Sequence, residues 1–439
     1  MLANRTIHIC LFFLLAVVPL IINPTAIDYW YKPKIESVYA LVIIAGSAGM
    51  FRYLFCRPPL AVHITPLTLP LFIYALSAIV STVFSVSPRV SVHGDFLREE
   101  GVFTLLAYVV LTGIFSHLVE SESRLRLLIK GLLVSSALVA LYAVVQYTGF
   151  NPTEHFIPLY RLKEHRVDST MGNPNFLGKF MVLVLPLFMA CFLGATKRRA
   201  KLLLASGTVL CFAALVFSFT RASWIGFFIS LLILLILSRA DVSQKDKRTI
   251  TAVVVCALVF TLAVGMLVSL KSEKYRGAFY GLIRDKAAGF TNVKEGMGVA
   301  TRLFVWKKSF SLIAGRPLIG YGPDTHEMVM KDISLRYSRK FNDSVRVDRA
   351  HNNYLDITIS QGLFGLGAYL SIVITLLVWL LRTINREGHR QKRLLYCGLF
   401  SAFSGYLIND FFIFSVVSVS PTFWSLMGLT LAIKELTRE

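Results

Sequence analysis

The chain has 439 residues, 55% of them hydrophobic and only 16% charged, with a mean hydropathy of +0.63. A soluble domain carries about 25% charged residues, so a water-facing surface of this size is excluded. The net charge of +21 does not indicate nucleic acid as a partner, because it is spread over short connections between apolar runs and one long loop.

A spanning helix needs about 20 mostly apolar residues to cross about 30 Å of hydrocarbon. Runs of this kind predict about twelve transmembrane helices, near 6–23, 38–55, 66–84, 102–118, 127–148, 175–194, 202–219, 222–237, 249–269, 353–381, 394–413 and 417–433. The run from Ile7 to Ile22 follows Asn4 and Arg5, and no small-residue cleavage pattern succeeds it, so it reads as the first span. The spans near 202–237 form a tight hairpin around Thr220 and Arg221. All six cysteines fall inside spans or at their cytoplasmic ends and read as packing residues.

The expected fold is an all-α integral membrane protein, a single membrane domain over 1–439 with one large extracytoplasmic loop, 270–350. Within that loop, 300–314 predicts an amphipathic helix on the membrane surface, with Leu303, Trp306, Phe310 and Ile313 at spacings of three and four. Gly315, Pro317, Gly320, Gly322 and Pro323 end it. With the N-terminus inside, the inner segments hold 21 Lys and Arg and the short outer segments hold 9. The other 16 lie in the long loop, which translocates regardless of charge. Both termini are therefore expected in the cytoplasm.

Polar side chains at the outer ends of spans are the candidates for chemistry, since charge beside hydrocarbon is costly. Arg221, in SFTRASW, sits at a hairpin tip and reads either as an interfacial anchor or as a fixed cation facing a phosphate. Arg302 lies four residues before Trp306 on one face of the loop helix, and a solvated charge is the alternative. His351, in DRAHNNYLD, precedes a helix N-terminus. The dipole and nearby arginines keep an imidazole there neutral, able to accept a proton at pH 7. His93, His155, His165 and His326 are also external, so position alone does not select His351. Asp95, Arg98, Glu99 and Glu100 precede the fourth span; Arg166, Asp168, Asn173, Asn175 and Lys179 open the sixth. Asp410, after Asn409, reads either as the ion-pair partner of an arginine or as part of a proton relay. There is no Asp-x-Asp, Walker loop or zinc motif, so any phosphate would be held by arginine forks.

The segments HGDFLREEGVFTLLAYV, STMGNPNFLGKFMVLVLPL, FSFTRASWIGFF, RLFVWKKSFSLIAGRPLIGYGPDTH and AHNNYLDITISQGLFGLGAYL stand in that order. Together they resemble the O-antigen ligase and polymerase superfamily of envelope glycosyltransferases, from about residue 85 to the end. The resemblance implies a helical, lipid-donor (GT-C type) glycosyltransferase of the inner membrane. Such an enzyme moves a glycan from an undecaprenyl-pyrophosphate carrier to an acceptor hydroxyl on the outer face, with inversion and without metal or other cofactor. In a ligase the acceptor is a lipid A core sugar; in a polymerase it is a second carrier-linked glycan. The resemblance puts the essential histidine on His351 and the donor-phosphate arginines on Arg221 and Arg302, with Arg98 a further substrate contact. Transport is the competing class, since some relatives are linked to bicarbonate uptake. Transporters place polar groups at the midplane, whereas here they gather at span ends.

Overall fold

A computed structural model describes residues 2–25, 28–56, 63–96, 98–152, 166–271, 299–335 and 347–435. Lipid offers the backbone no hydrogen bonds, so each apolar run closes its own in a helix. The helices are α1 (Leu2–Ala16), α2 (Lys32–Phe55), α3 (Thr68–Val83), α4 (Pro88–His93), α5 (Val102–Leu118), α6 (Glu122–Tyr147), α7 (Pro174–Gly194), α8 (Arg198–Phe217), α9 (Arg221–Leu237), α10 (Gln244–Lys271), α11 (Val299–Gly315), α12 (His326–Val329), α13 (Asn353–Arg386), α14 (Arg390–Asn409) and α15 (Ser420–Glu435). No strand occurs among the described residues.

Six helices are long and apolar enough to cross a membrane: α1 with the turn that follows it, α2, α6, α7, α8 and α13. Four shorter apolar helices lie in α3, α5, α9 and α10. The remaining two expected spans are helical as α14 and α15 but fall outside those criteria. α14 begins on Arg390, Lys392 and Arg393, which dilute its hydropathy.

α7 is the central helix, 94% of its apolar window buried against neighbours that include α8, α9 and α14. Gly178 lets the start of α9 approach it closely; a Cβ there would sit 2.6 Å from Ser223 Oγ. One turn of ion chemistry interrupts this apolar packing. Lys179 Nζ lies 2.5 Å from Asp410 Oδ1, both side chains fully buried, and also donates to Phe414 O at 3.1 Å. Asp410 Oδ2 accepts from Tyr369 Oη and Asn353 Nδ2, each at 3.0 Å. The expected arginine partner of Asp410 is therefore a lysine from α7, which reaches it because α7 and α14 are packed along their length.

Removing one partner of such a pair strands a charge in a low dielectric. Lys179→Met is expected to destabilise the protein by about 3–5 kcal/mol. A double change with Asp410→Leu should recover most of that loss. Thermal denaturation in detergent measures both; equal melting of Lys179→Met and wild type would show that the pair contributes nothing.

α13 is not one continuous span. Gly362 adopts φ 68°, and the helix breaks there. Leu363 N donates to Pro317 O at 2.7 Å, Tyr321 N to Ile359 O at 2.9 Å and Gly322 N to Ser360 O at 2.8 Å. The break thus exposes backbone groups that fasten loop residues 317–322 to the bundle. Any Cβ at Gly362 would run into Leu318 O, so glycine is required twice over.

The fastened loop has its own small core of Val305, Met330, Ile333, Val347, Ala350 and Ile359. The expected apolar stripe of α11 is divided. Trp306 and Ile313 pack on this core, while Leu303 and Phe310 are 57% and 61% exposed. The helix buries Val305 and Ser309 against the loop core, which turns the stripe's other edge outward. Loop residues 272–298 and 336–346 lie outside the described residues.

Candidate functional site

Backbone hydrogen bonds gather one rim of the bundle: Asn353 N at the start of α13 donates to Asp410 O after α14 at 2.7 Å, and Val167 N ahead of α7 donates to Phe217 O at the end of α8 at 3.4 Å. The other rim carries ion pairs such as Arg393–Asp241 at 2.6 Å, Arg390–Asp246 at 3.2 Å and Arg52–Glu120 at 2.5 Å. The first rim carries the candidate residues.

His351 immediately precedes Asn352, whose side chain caps α13 by accepting from the Tyr354 and Leu355 amides. The preceding peptide is held on both sides: Ala350 N donates to Asp356 Oδ1 at 2.8 Å, and Ala350 O accepts from Trp306 Nε1 at 2.9 Å. His351 itself takes a left-handed conformation, φ 52°. Its half-buried ring stands edge-on to Phe414, centroids 5.2 Å apart, and has no hydrogen-bond partner among the described residues. Burial, then the Arg302 charge, lower its pKa to about 4; Asp348 opposes them, and Arg98 and Arg349 add to them. Burial, which the sequence did not indicate, is the first cause of this lowering, and the arginines come after it.

The Trp306 bond ties α11 to the residue before His351. Arg302 lies in the first turn of α11, half-buried, with an Nε that has no hydrogen-bond partner among the described residues. Among the described residues no carboxylate forms an ion pair with Arg302. Burial first, then the charges of Arg221 and Arg166, pull its pKa below the usual guanidinium range. Arg221 is the exposed first residue of α9, directly after the three-residue turn from α8. Arg221, Arg302 and His351, separated by up to 130 positions in sequence, therefore occupy one electrostatic neighbourhood on one rim.

Arg98 joins them differently. Its Nε donates to Asp348 Oδ2 at 3.0 Å, its Nη2 binds the same oxygen, and its guanidinium lies 4.7 Å from the Phe414 ring centre. Burial pushes the Asp348 carboxyl up, but Arg98 outweighs it and holds the group below the usual range. Arg98 is thus committed to the segment that carries His351.

Of a buried network nearby, the sequence pointed to Glu100 and His326 but not to Arg349, Asp324 or Asp356. Arg349 pairs with Asp324, lies 3.8 Å from Glu100 and donates from Nη1 to His326 Nδ1 at 2.7 Å. A guanidinium only donates, so Nδ1 accepts and Nε2 carries the proton, which it gives to Asp356 O at 2.9 Å. His326 is thereby fully engaged. His93 is exposed and bonds Arg89 O, and His155 and His165 lie outside the described residues. A cavity of about 50 Å³ lined by Glu100, Asp324, His326, Arg349 and Asp356 has room for water but not for a sugar ring.

Backbone strain concentrates on this rim. The non-glycine residues at positive φ among the described residues are Glu99, Ser169, Phe219, Asp324 and His351, all in its connecting segments. Such outliers mark sites where the surroundings over-determine geometry. The Gly-Asn-Pro-Asn run forms the expected turn and helix start: Gly172 is left-handed, Asn173 caps and Pro174 opens α7.

Fold and rim together define a many-helix membrane protein with a cationic, histidine-bearing site at one end of its bundle. Residues 206–370, which include Arg221, Arg302 and His351, match the sequence model of the family described as O-antigen ligase. That match supports a membrane protein of the O-antigen ligase and polymerase superfamily. A domain of this family supports glycosyltransferase-type activity in general. The chain is also 20% identical over 182 residues to an uncharacterized protein of Haemophilus influenzae, a match spanning 41% of this chain and 43% of that one.

Proposed function

We propose that the protein is an O-antigen ligase-like glycosyltransferase of lipid-donor architecture. It moves a glycan from undecaprenyl pyrophosphate to an acceptor hydroxyl at the outer face of the inner membrane. The observation that carries this reading is that Arg302, half-buried and without a carboxylate ion pair among the described residues, lies within electrostatic reach of both Arg221 and His351 on one rim. Burying a cation without an anion is costly. A diphosphate supplies the missing charge, and guanidinium forks suit it.

In this mechanism Arg221 and Arg302 grip the donor diphosphate, and Arg98 holds Asp348 and so the His351 segment. The acceptor oxygen attacks the anomeric carbon as the bond to the diphosphate oxygen breaks, with inversion. The acceptor proton passes to His351, and the leaving diphosphate's charge grows where the arginines are already placed. Ligase and polymerase share this donor chemistry and differ in the acceptor, whether a lipid A core sugar or another carrier-linked glycan. The inner-rim ion pairs and the Lys and Arg distribution support cytoplasmic termini.

The test is transfer by the purified protein in liposomes, using radiolabelled glycan on a prenyl diphosphate and hydroxyl acceptors of each kind. Transfer to any of them supports the reading, and glycan uptake without transfer would replace it with transport.

The pH profile is a second check. A base must be unprotonated, and a histidine whose pKa is depressed to about 4 stays so well below the ordinary 6.5. The acidic limb of kcat/KM, which reports the free enzyme, is therefore expected near pH 4–5. Bound diphosphate neutralises the arginine charges, so the limb of kcat should lie at higher pH. Coincident limbs near 6.5 would show that the arginines do not act on His351.

A further inference from the structure

The site reading leaves unexplained a third guanidinium that bridges two elements behind Arg221. Arg166 Nε donates to Ser218 O at 3.0 Å, and its Nη2 donates to Thr220 Oγ1 at 3.1 Å and Asn175 Oδ1 at 2.9 Å. Ser218 and Thr220 belong to the turn between α8 and α9, and Asn175 to the first turn of α7. The turn is strained, with Phe219 at φ 50°, and Thr220 Oγ1 also reaches Pro174 O at 3.1 Å. One planar side chain therefore clamps a strained three-residue turn to the central helix, and the next residue along is Arg221.

We propose that Arg166 is a positioning residue for the donor diphosphate: its fork fixes the turn that presents Arg221, and its charge adds a third cation to the field in which Arg302 and Arg221 meet the anion. This rests on the donor-site reading above. The acceptors at Ser218, Thr220 and Asn175 are all neutral oxygens, which a neutral donor could satisfy. A guanidinium there adds a full charge, and that charge is felt at Arg302, whose pKa it lowers alongside burial and Arg221. Cations that act on one another across a short gap favour a multiply charged anion between them. Lysine keeps the charge but cannot send two nitrogens in the two required directions.

The experiment measures binding of inorganic pyrophosphate to the purified full-length protein in detergent, with donor and acceptor KM and melting temperature alongside. Arg166→Gln is expected to weaken pyrophosphate binding about tenfold or more and to raise donor KM in step. Acceptor KM and melting temperature should stay near wild type. Arg166→Lys should fall between the two and carries the test if Arg166→Gln does not insert. Unchanged pyrophosphate affinity in these variants overturns the proposal, as does a loss of melting temperature with both KM values rising together, which marks a merely structural clamp. Absence of pyrophosphate binding to wild type overturns the donor-site reading itself.

Discussion

His351→Asn is expected to lower the transfer rate about 10²–10⁴-fold, the range for removing a general base. Asparagine is the informative choice because it tolerates the left-handed backbone at φ 52° that alanine would strain. The Asn352 cap and the Ala350 bonds to Asp356 and Trp306 involve neighbouring groups and survive the change. The variant should insert, melt normally and bind donor as wild type does, because no phosphate contact is assigned to the imidazole. The loss belongs in kcat. If donor affinity falls while turnover of bound donor persists, His351 is a binding residue and the base lies elsewhere.

Arg302→Ala is expected to lower kcat/KM about 10²–10³-fold, the cost of deleting one preorganised donor to a developing charge. Folding should suffer little, since the guanidinium has an unsatisfied Nε and no ion pair among the described residues. Relief of a buried, repelled cation could even raise the melting temperature. Arg302→Lys should recover only part of the activity, as a point charge replaces a two-pronged contact. With Arg302 gone the His351 pKa should also rise, because Arg302 is the largest influence on it after burial. A shift of the kcat/KM limb toward neutral pH in this variant would report that coupling without reference to affinity. Full activity in Arg302→Ala would remove it from the mechanism.

Apolar runs and their charged flanks made the helices legible, because hydrocarbon thickness dictates run length and the backbone has no alternative pairing. The hairpin at Thr220 and the Asn173 cap were equally local. What required tertiary contacts was hidden. Arg302 read as easily as a solvated loop charge, since tertiary contacts, the Trp306 bond to Ala350 O and the packing of Val305 among them, bring it toward His351. Arg166 stood out only as part of a polar segment, and its fork needs acceptors some 50 residues away. Arg349 and Asp324 lie in different loop segments whose pairing no spacing encodes. Phe414, against which Arg98 and His351 both pack, is one apolar residue in a run of them. The break at Gly362 was masked because glycine inside an apolar run is common in membrane helices. The α11 stripe misled by assuming one apolar surrounding where the helix has two.

A structure determined experimentally with a prenyl-diphosphate-linked glycan bound tests the central claim most directly. Its phosphates are expected within hydrogen-bonding distance of Arg221 and Arg302, with the anomeric carbon open to an acceptor held at His351. Phosphates bound at any other place on the bundle, with Arg302 still lacking an anion, would contradict it.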